Sequence, residues 1–157
     1  MYEVIKIGEE KIEELYKIEE NYFNDFKAKD ILPSRLSKTV SAFANASGGD
    51  VYLGIREENK TKVKHWEGFE HIEDANAHIQ TLVSMAPLDN FLEFTFLQDV
   101  NSGLYVLQIS VSKTKNITNA SDGIPYVRHS ASNLEVRTEA DRKRLELDNG
   151  ITSFENE

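Results

Sequence analysis

The sequence predicts an α+β domain: a mixed, mainly antiparallel sheet with helices packed on it. Three observations carry this. Phe91–Phe96 and Leu104–Val111 are two strand-like apolar runs joined through Asn101-Ser102-Gly103, a hairpin signature. Leu36, Val40, Phe43 and Ala44 recur at helical spacing and form one apolar stripe. Val51-Tyr52-Leu53-Gly54-Ile55 is short and nearly all apolar, as in a strand buried on both faces. Helices and strands are interspersed and the hairpins require antiparallel pairing, so the class is α+β.

Each element follows in order. Ile12, Leu15, Tyr16 and Ile18 predict a helix from Ile7 to about Tyr22. Asn21–Phe26 breaks that period and predicts a short strand, with Tyr22, Asn24 and Phe26 on one face and Phe23 and Asp25 on the other. Pro33-Ser34 opens the next helix, with Ser34 as its N-cap, and the turn formers Asn45–Gly49 stop it. After the 51–55 strand, Glu57–Lys60 is a turn and Lys62–His65 begins a returning strand. Ile79, Leu82, Val83 and Met85 predict the apolar side of a helix from Ile72 to Met85, ended by Pro87. Tyr126-Val127-Arg128 is a further strand after the Asp122-Gly123 turn, and Thr138 caps a terminal helix reaching Leu147. Residues 1–147 read as one domain and 148–157 as a polar tail, with no repeat or linker. Trp66 and Phe69 are placed as caps on the core, base stacking being their weaker reading.

The 157 residues suffice for a core without covalent staples. There is no cysteine, which excludes a disulfide framework and a thiolate metal site. With no signal-like N-terminus and no apolar run long enough to span a bilayer, the expectation is a cytoplasmic protein with no membrane partner. The net charge of −9 opposes polyanion binding, but its distribution is uneven. Residues 27–64 carry eight basic and four acidic side chains, and residues 113–138 four and two. Residues 65–112 hold seven acids and no Lys or Arg. Local field decides where a polyanion docks, so the two basic stretches are the candidate contacts. They contain Lys27, Arg35, Lys38, Lys60, Lys62, Lys64, Lys113, Lys115 and Arg128. Lys60, Lys62 and Lys64 alternate, and in an extended chain they share one face. Arg35 and Lys38 sit near a helix N-terminus, which favours phosphate. Lys27, two residues past Asp25 on the same strand face, either contacts phosphate or pairs with Asp25.

Other chemistries are excluded. Gly48-Gly49 lacks the Gly-Lys-Ser/Thr of an ATP-binding phosphate loop, and no Gly-x-Ser-x-Gly elbow is present. The four histidines lack metal-ligand spacing.

Two passages resemble a known family. The first is Glu20-Asn21-Tyr22-Phe23-Asn24-Asp25-Phe26-Lys27, followed by Ser41-Ala42-Phe43-Ala44-Asn45, Gly48-Gly49 and a strand ending Gly54-Ile55. The second is Gly123 through Asn133, with Tyr126-Val127-Arg128 at its centre. Together they are similar to the Schlafen-type AlbA-like domain, over about residues 18–145. The resemblance implies the α+β fold of that family and a role in handling nucleic acid. Nuclease members carry three carboxylates, which fall here on Glu20, Asp25 and Glu57. Asp25 stands where the family usually has Glu, and Glu57 where it usually has Asp, so each carboxyl is displaced by a methylene. The resemblance thus implies catalytic and metal-binding roles for Glu20, Asp25 and Glu57, with Mg²⁺ or Mn²⁺ as the oxygen-seeking cofactor. It implies a metal-dependent endonuclease acting on RNA of the tRNA type, in a bacterial defence or toxin-like setting. A non-catalytic DNA- or RNA-binding module is the alternative. Arg128 matches the family's strand arginine and is the leading candidate among the basic residues. Because the family's nucleases build their groove from two lobes, a homodimer is expected.

Overall fold

The computed structural model describes residues 2–85 and 91–148. Pro87 and the tail beyond 148 lie outside the described residues. The chain runs β1 (Glu3–Ile7), α1 (Glu9–Tyr16), β2 (Asn24–Lys27), α2 (Pro33–Ala44), β3 (Gly49–Leu53), β4 (Ile55–Glu57) and β5 (Lys64–Trp66). A 3-10 turn (Ile72–Ala75) leads into α3 (Asn76–Val83). Then come β6 (Leu92–Asp99), β7 (Tyr105–Val111), β8 (Tyr126–His129), β9 (Ser132–Glu135) and α4 (Glu139–Asp148).

Five strands form one sheet in the order β1-β6-β7-β3-β2. The β6–β7 and β3–β7 pairs are antiparallel, and β1–β6 and β2–β3 are parallel. Two separate antiparallel hairpins, β4–β5 and β8–β9, complete the α+β architecture expected from the sequence. Strand alternation divides the core between the two faces of the sheet. Val51, Leu53, Phe96, Leu107 and Ile109 bury against Leu36, Val40 and Phe43 of α2 and Ile79 and Leu82 of α3. Phe26, Tyr52, Leu97 and Val106 bury with Ile12 and Leu15 of α1. Phe26 and Tyr52 are register partners on β2 and β3, and their rings stack with centroids 5.3 Å apart.

The structure corrects several boundaries. The predicted 7–22 helix is shorter, Glu9–Tyr16, and a strand precedes it. Pro33 is the first helical residue of α2 and Leu32 its N-cap, so Ser34 lies inside the first turn. The 51–55 strand splits at Gly54, where φ is +114° and the chain leaves the main sheet for the β4–β5 hairpin. Gly48, at φ +79°, makes the turn after α2, and a Cβ there would lie 2.5 Å from the Val111 carbonyl oxygen. After the predicted Tyr126-Val127-Arg128 strand the chain turns at Ser130-Ala131 and Ser132–Glu135 returns as β9. Lys60 and Lys62 are not on a strand. Lys62 has φ +61° in the turn of the β4–β5 hairpin, so the alternation with Lys64 gives no common basic face.

Candidate functional site

β2 carries Asp25 into the interior, where it meets Arg128 from β8. Asp25 Oδ2 accepts a hydrogen bond from Arg128 Nη1 at 2.9 Å, and Lys27 Nζ lies 3.4 Å from the same oxygen. Arg128 also donates to Asn21 O from Nε (3.1 Å) and Nη2 (3.0 Å), to Asn24 O from Nη2 (3.3 Å) and to Asn133 Oδ1 from Nη1 (2.7 Å). Its guanidinium lies 4.6 Å from the centroid of the Phe43 ring. The Arg128 side chain is 0% exposed, so it does not meet phosphate at the surface as the sequence suggested. It instead ties together β2, the Asn21–Asn24 turn and the β8–β9 hairpin.

Glu20 sits beside this pair. Its Oε2 accepts from the Phe26 backbone N–H at 3.1 Å. Burial, and then hydrogen bonding and charge repulsion from Asp25, push its pKa up to about 7. Asp25 Oδ1 is buried and receives no donor from backbone or neighbouring side chains. A proton held on Glu20 is the donor such a carboxyl pair calls for.

Glu20 and Glu57 line one cavity of about 490 Å³, with Tyr16, Lys17, Lys62 and Lys64 around them. Lys64 occupies its wall: Nζ donates to Tyr16 O at 2.8 Å, pairs with Glu57 Oε2 at 3.3 Å and lies 4.8 Å from the Phe26 ring centroid. The three predicted carboxylates are therefore not one cluster. Glu20 meets Asp25 and shares a cavity with Glu57, but Asp25 is committed to Arg128 and Glu57 to Lys64. Among the described residues no group of three His, Cys, Asp or Glu side chains is placed to hold a metal ion. The orphaned Asp25 oxygen beside Glu20 offers a cation two carboxylates, and Lys64 holds the third. As folded, the donor set does not fit a three-carboxylate centre for Mg²⁺ or Mn²⁺.

A pH dependence follows. Unfolded, Glu20 titrates near the ordinary carboxylate value, about 4.3, and folded near 7. Between those values the native state binds more protons, so stability is greatest below the lower one and declines as pH rises through the upper one. Glu20→Gln keeps the acceptor for Phe26 and gives Asp25 a permanent donor. The variant is expected to flatten the melting temperature between about pH 5 and 8 relative to wild type. An unchanged profile would remove the shared proton. Glu20 is about half-buried, so the effect is modest.

The predicted basic residues divide. Lys27, Arg35 and Lys38 open onto one groove of about 390 Å³, together with Thr39, Ser132 and Asn133. β2 supplies Lys27 and the first turns of α2 supply Arg35 and Lys38. Lys38 Nζ lies 5.7 Å from the Tyr126 ring centroid, and Asn133 Nδ2 donates to Thr39 Oγ1 at 3.0 Å, joining α2 to β9. Lys62 faces the other cavity, and Lys60 and Lys115 line neither. Sequence reasoning missed Asn133 as part of the groove, and placed Lys64 on a basic face where the structure makes it the partner of Glu57.

These elements are the part of the chain that matches known proteins. Residues 20–137 match the family model described as "Schlafen, AlbA_2". The chain belongs to the Schlafen AlbA_2 family. A solved structure, that of the DIP2311 protein from Corynebacterium diphtheriae, superimposes with a TM-score of 0.57 at 18% sequence identity. The match covers 81% of this chain and 29% of that one, so the chain spans under a third of that protein's length. At that identity the likeness shows a shared fold. No curated protein sequence matches the chain. Membership of the Schlafen AlbA_2 family makes this a nucleic-acid-related domain. No helix among the described residues is long and apolar enough to cross a membrane.

Proposed function

We propose that this chain binds nucleic acid, RNA first, by its phosphate backbone in the Lys27–Arg35–Lys38 groove. The supporting observation is the convergence of three cations from two elements on one groove, rimmed by amide and hydroxyl groups with Glu135 as its one carboxylate, in a chain of net charge −9. Half or more of protein–nucleic acid hydrogen bonds go to phosphate and sugar, from these side-chain types. Binding measured by fluorescence anisotropy against salt is expected to weaken steeply as salt rises. Lys27→Gln and Lys38→Gln are each expected to lower the slope of log K against log salt by about 1, with the melting temperature little changed for Lys38→Gln. Affinity independent of salt, or unmoved by both variants, would sink the reading. The proposal includes the homodimer, because the family's nucleases build their groove from two lobes and this chain is long enough for about one; a monomer by light scattering at working concentrations would remove that part.

A second reading, a metal-dependent RNA endonuclease, is favoured by one observation: the Glu20–Asp25 pair with its orphaned oxygen adjoins the cavity that Glu57 lines. That reading requires Glu57 to part from Lys64. The test is cleavage of total tRNA and of single- and double-stranded DNA with Mg²⁺ or Mn²⁺, wild type against Glu20→Gln. Asp25→Asn is the poorer variant, since it strips Arg128 of its counter-ion. Metal-dependent cutting lost in Glu20→Gln establishes the nuclease; salt-sensitive binding without cutting leaves the binding domain.

A further inference from the structure

We infer that Tyr22 and Phe23 form a stacking platform for unpaired bases, so that the ligand bound in the basic groove is single-stranded there. This rests on the nucleic-acid reading and specifies the class of ligand. Phe43 and Phe96 are almost wholly buried, yet Phe23 is 54% exposed and Tyr22 37% exposed. A single exposed aromatic means little, but two adjacent ones on a rigid mount are a surface. Their ring centroids are 5.6 Å apart at an interplanar angle of 54°.

The mount is unusually well fixed for a turn. Asn21 Oδ1 accepts from the backbone N–H groups of Phe23 (2.8 Å) and Asn24 (3.0 Å). Arg128 holds the Asn21 and Asn24 carbonyls from inside, and Phe23 O accepts from Asp50 N–H at 2.8 Å. The rings are thus held out by the backbone and pay little further ordering entropy on binding.

The platform is joined to the phosphate contacts through β2. The turn runs directly into β2, whose last residue, Lys27, enters the groove. Arg128, holding the turn, also holds Asn133 of the groove wall. Rings and cations carried on one continuous framework, a few nucleotides' reach apart, are the combination that binds single strands, bases on the rings and phosphates on the cations. In a duplex the bases are already stacked on one another and offer no free face.

The test compares a labelled oligo-uridine or oligo-adenosine 12-mer with a blunt RNA duplex by anisotropy, using wild type, Tyr22→Ala/Phe23→Ala and Lys27→Gln/Lys38→Gln. Wild type is expected to prefer the single strand. The aromatic double variant is expected to lose about tenfold or more of single-strand affinity with duplex binding unchanged. The lysine variant is expected to weaken both. If the aromatic variant binds both ligands as wild type does, or weakens both equally, the platform is overturned while the binding domain stands. Wild type binding neither ligand overturns the underlying reading as well. Tyr22→Trp/Phe23→Trp guards against misfolding and is expected to keep the single-strand preference. An aromatic variant that turns a dimer into a monomer by light scattering assigns the rings to a second copy and overturns the proposal.

Discussion

Replacing Arg128 with Ala is expected to destabilise the domain by about 3–5 kcal/mol, the range for removing one partner of a buried ion pair. For a chain of this size that is a fall in melting temperature of about 6–20 °C. The loss exceeds one ion pair. Asp25 is left as a buried carboxylate beside Glu20 with Lys27 as its remaining cation, the Asn21 carbonyl and the Asn133 amide oxygen lose the Arg128 donors, and the Asn24 carbonyl is left with the Asn21 N–H. Arg128→Lys should rescue little, because a point ammonium cannot reproduce a planar fork of five donors. The two charges act as one unit, so Asp25→Asn, harmful alone, is expected to add little on top of Arg128→Ala. A variant melting within about 2 °C of wild type would show that Arg128 does not organise the site. The same measurement separates Arg128 from the surface cations: Lys38→Gln should change the salt slope of binding and leave stability nearly intact, and Arg128→Ala should do the reverse while it remains folded.

Arg128 also shows where a sequence stops informing about a site. The β6–β7 hairpin was legible because its alternation and its Asn-Ser-Gly loop are local, and α2 because its stripe recurs over three turns. β1 was not. Its five residues pair in parallel with β6, far along the chain, and nothing in Glu3–Ile7 announces that partner. The same strand displaced the start of the first helix. For Lys60 and Lys62 the alternation was real in sequence, but Glu58 and Val63 close a turn that forces positive φ at Lys62. An arginine in a strand looks alike whether it faces water or a buried Asp. The one available signal was that Tyr126 and Arg128 stand two apart on β8 and so share a face, and Tyr126 is buried. Glu20, Asp25 and Glu57 were chosen by resemblance, which gives positions but not partners. Lys64, which holds Glu57, lies outside the motifs that carry the resemblance, and Arg128, which lies within them, reads there as a phosphate contact and not as the partner of Asp25.

Asn45→Ala is expected to cost about 3 kcal/mol or more, although its position at a helix end reads only as a turn former. Its amide is buried, with Nδ2 donating to Thr118 O and Tyr126 O, both at 2.8 Å, and Oδ1 accepting from Thr118 N–H at 2.9 Å. Ser41 Oγ, one turn earlier, donates to Thr118 O at 2.8 Å and accepts from Tyr126 N–H at 3.0 Å. The Ser41-Ala42-Phe43-Ala44-Asn45 string is therefore a clamp. Its polar residues hold the backbone on both sides of the Asp122-Gly123 turn, and Phe43 lies under the Arg128 guanidinium. Alanine at Asn45 orphans the Thr118 N–H and the Tyr126 carbonyl, at about 1–3 kcal/mol each. Asn45→Asp has the same shape but loses both donors and turns a carboxylate toward two carbonyls. It is expected to be at least as destabilising as Asn45→Ala at neutral pH and to recover partly as pH falls and the carboxyl gains a proton. Urea unfolding of the two variants at pH 5 and pH 7.5 checks this. If Asn45→Asp is the milder change at neutral pH, the amide donors do not hold this segment. If the order is as expected, loss of the clamp should also free β8 and β9 from α2, and single-strand affinity should fall with stability, because Ser132 and Asn133 reach the groove only through that hairpin.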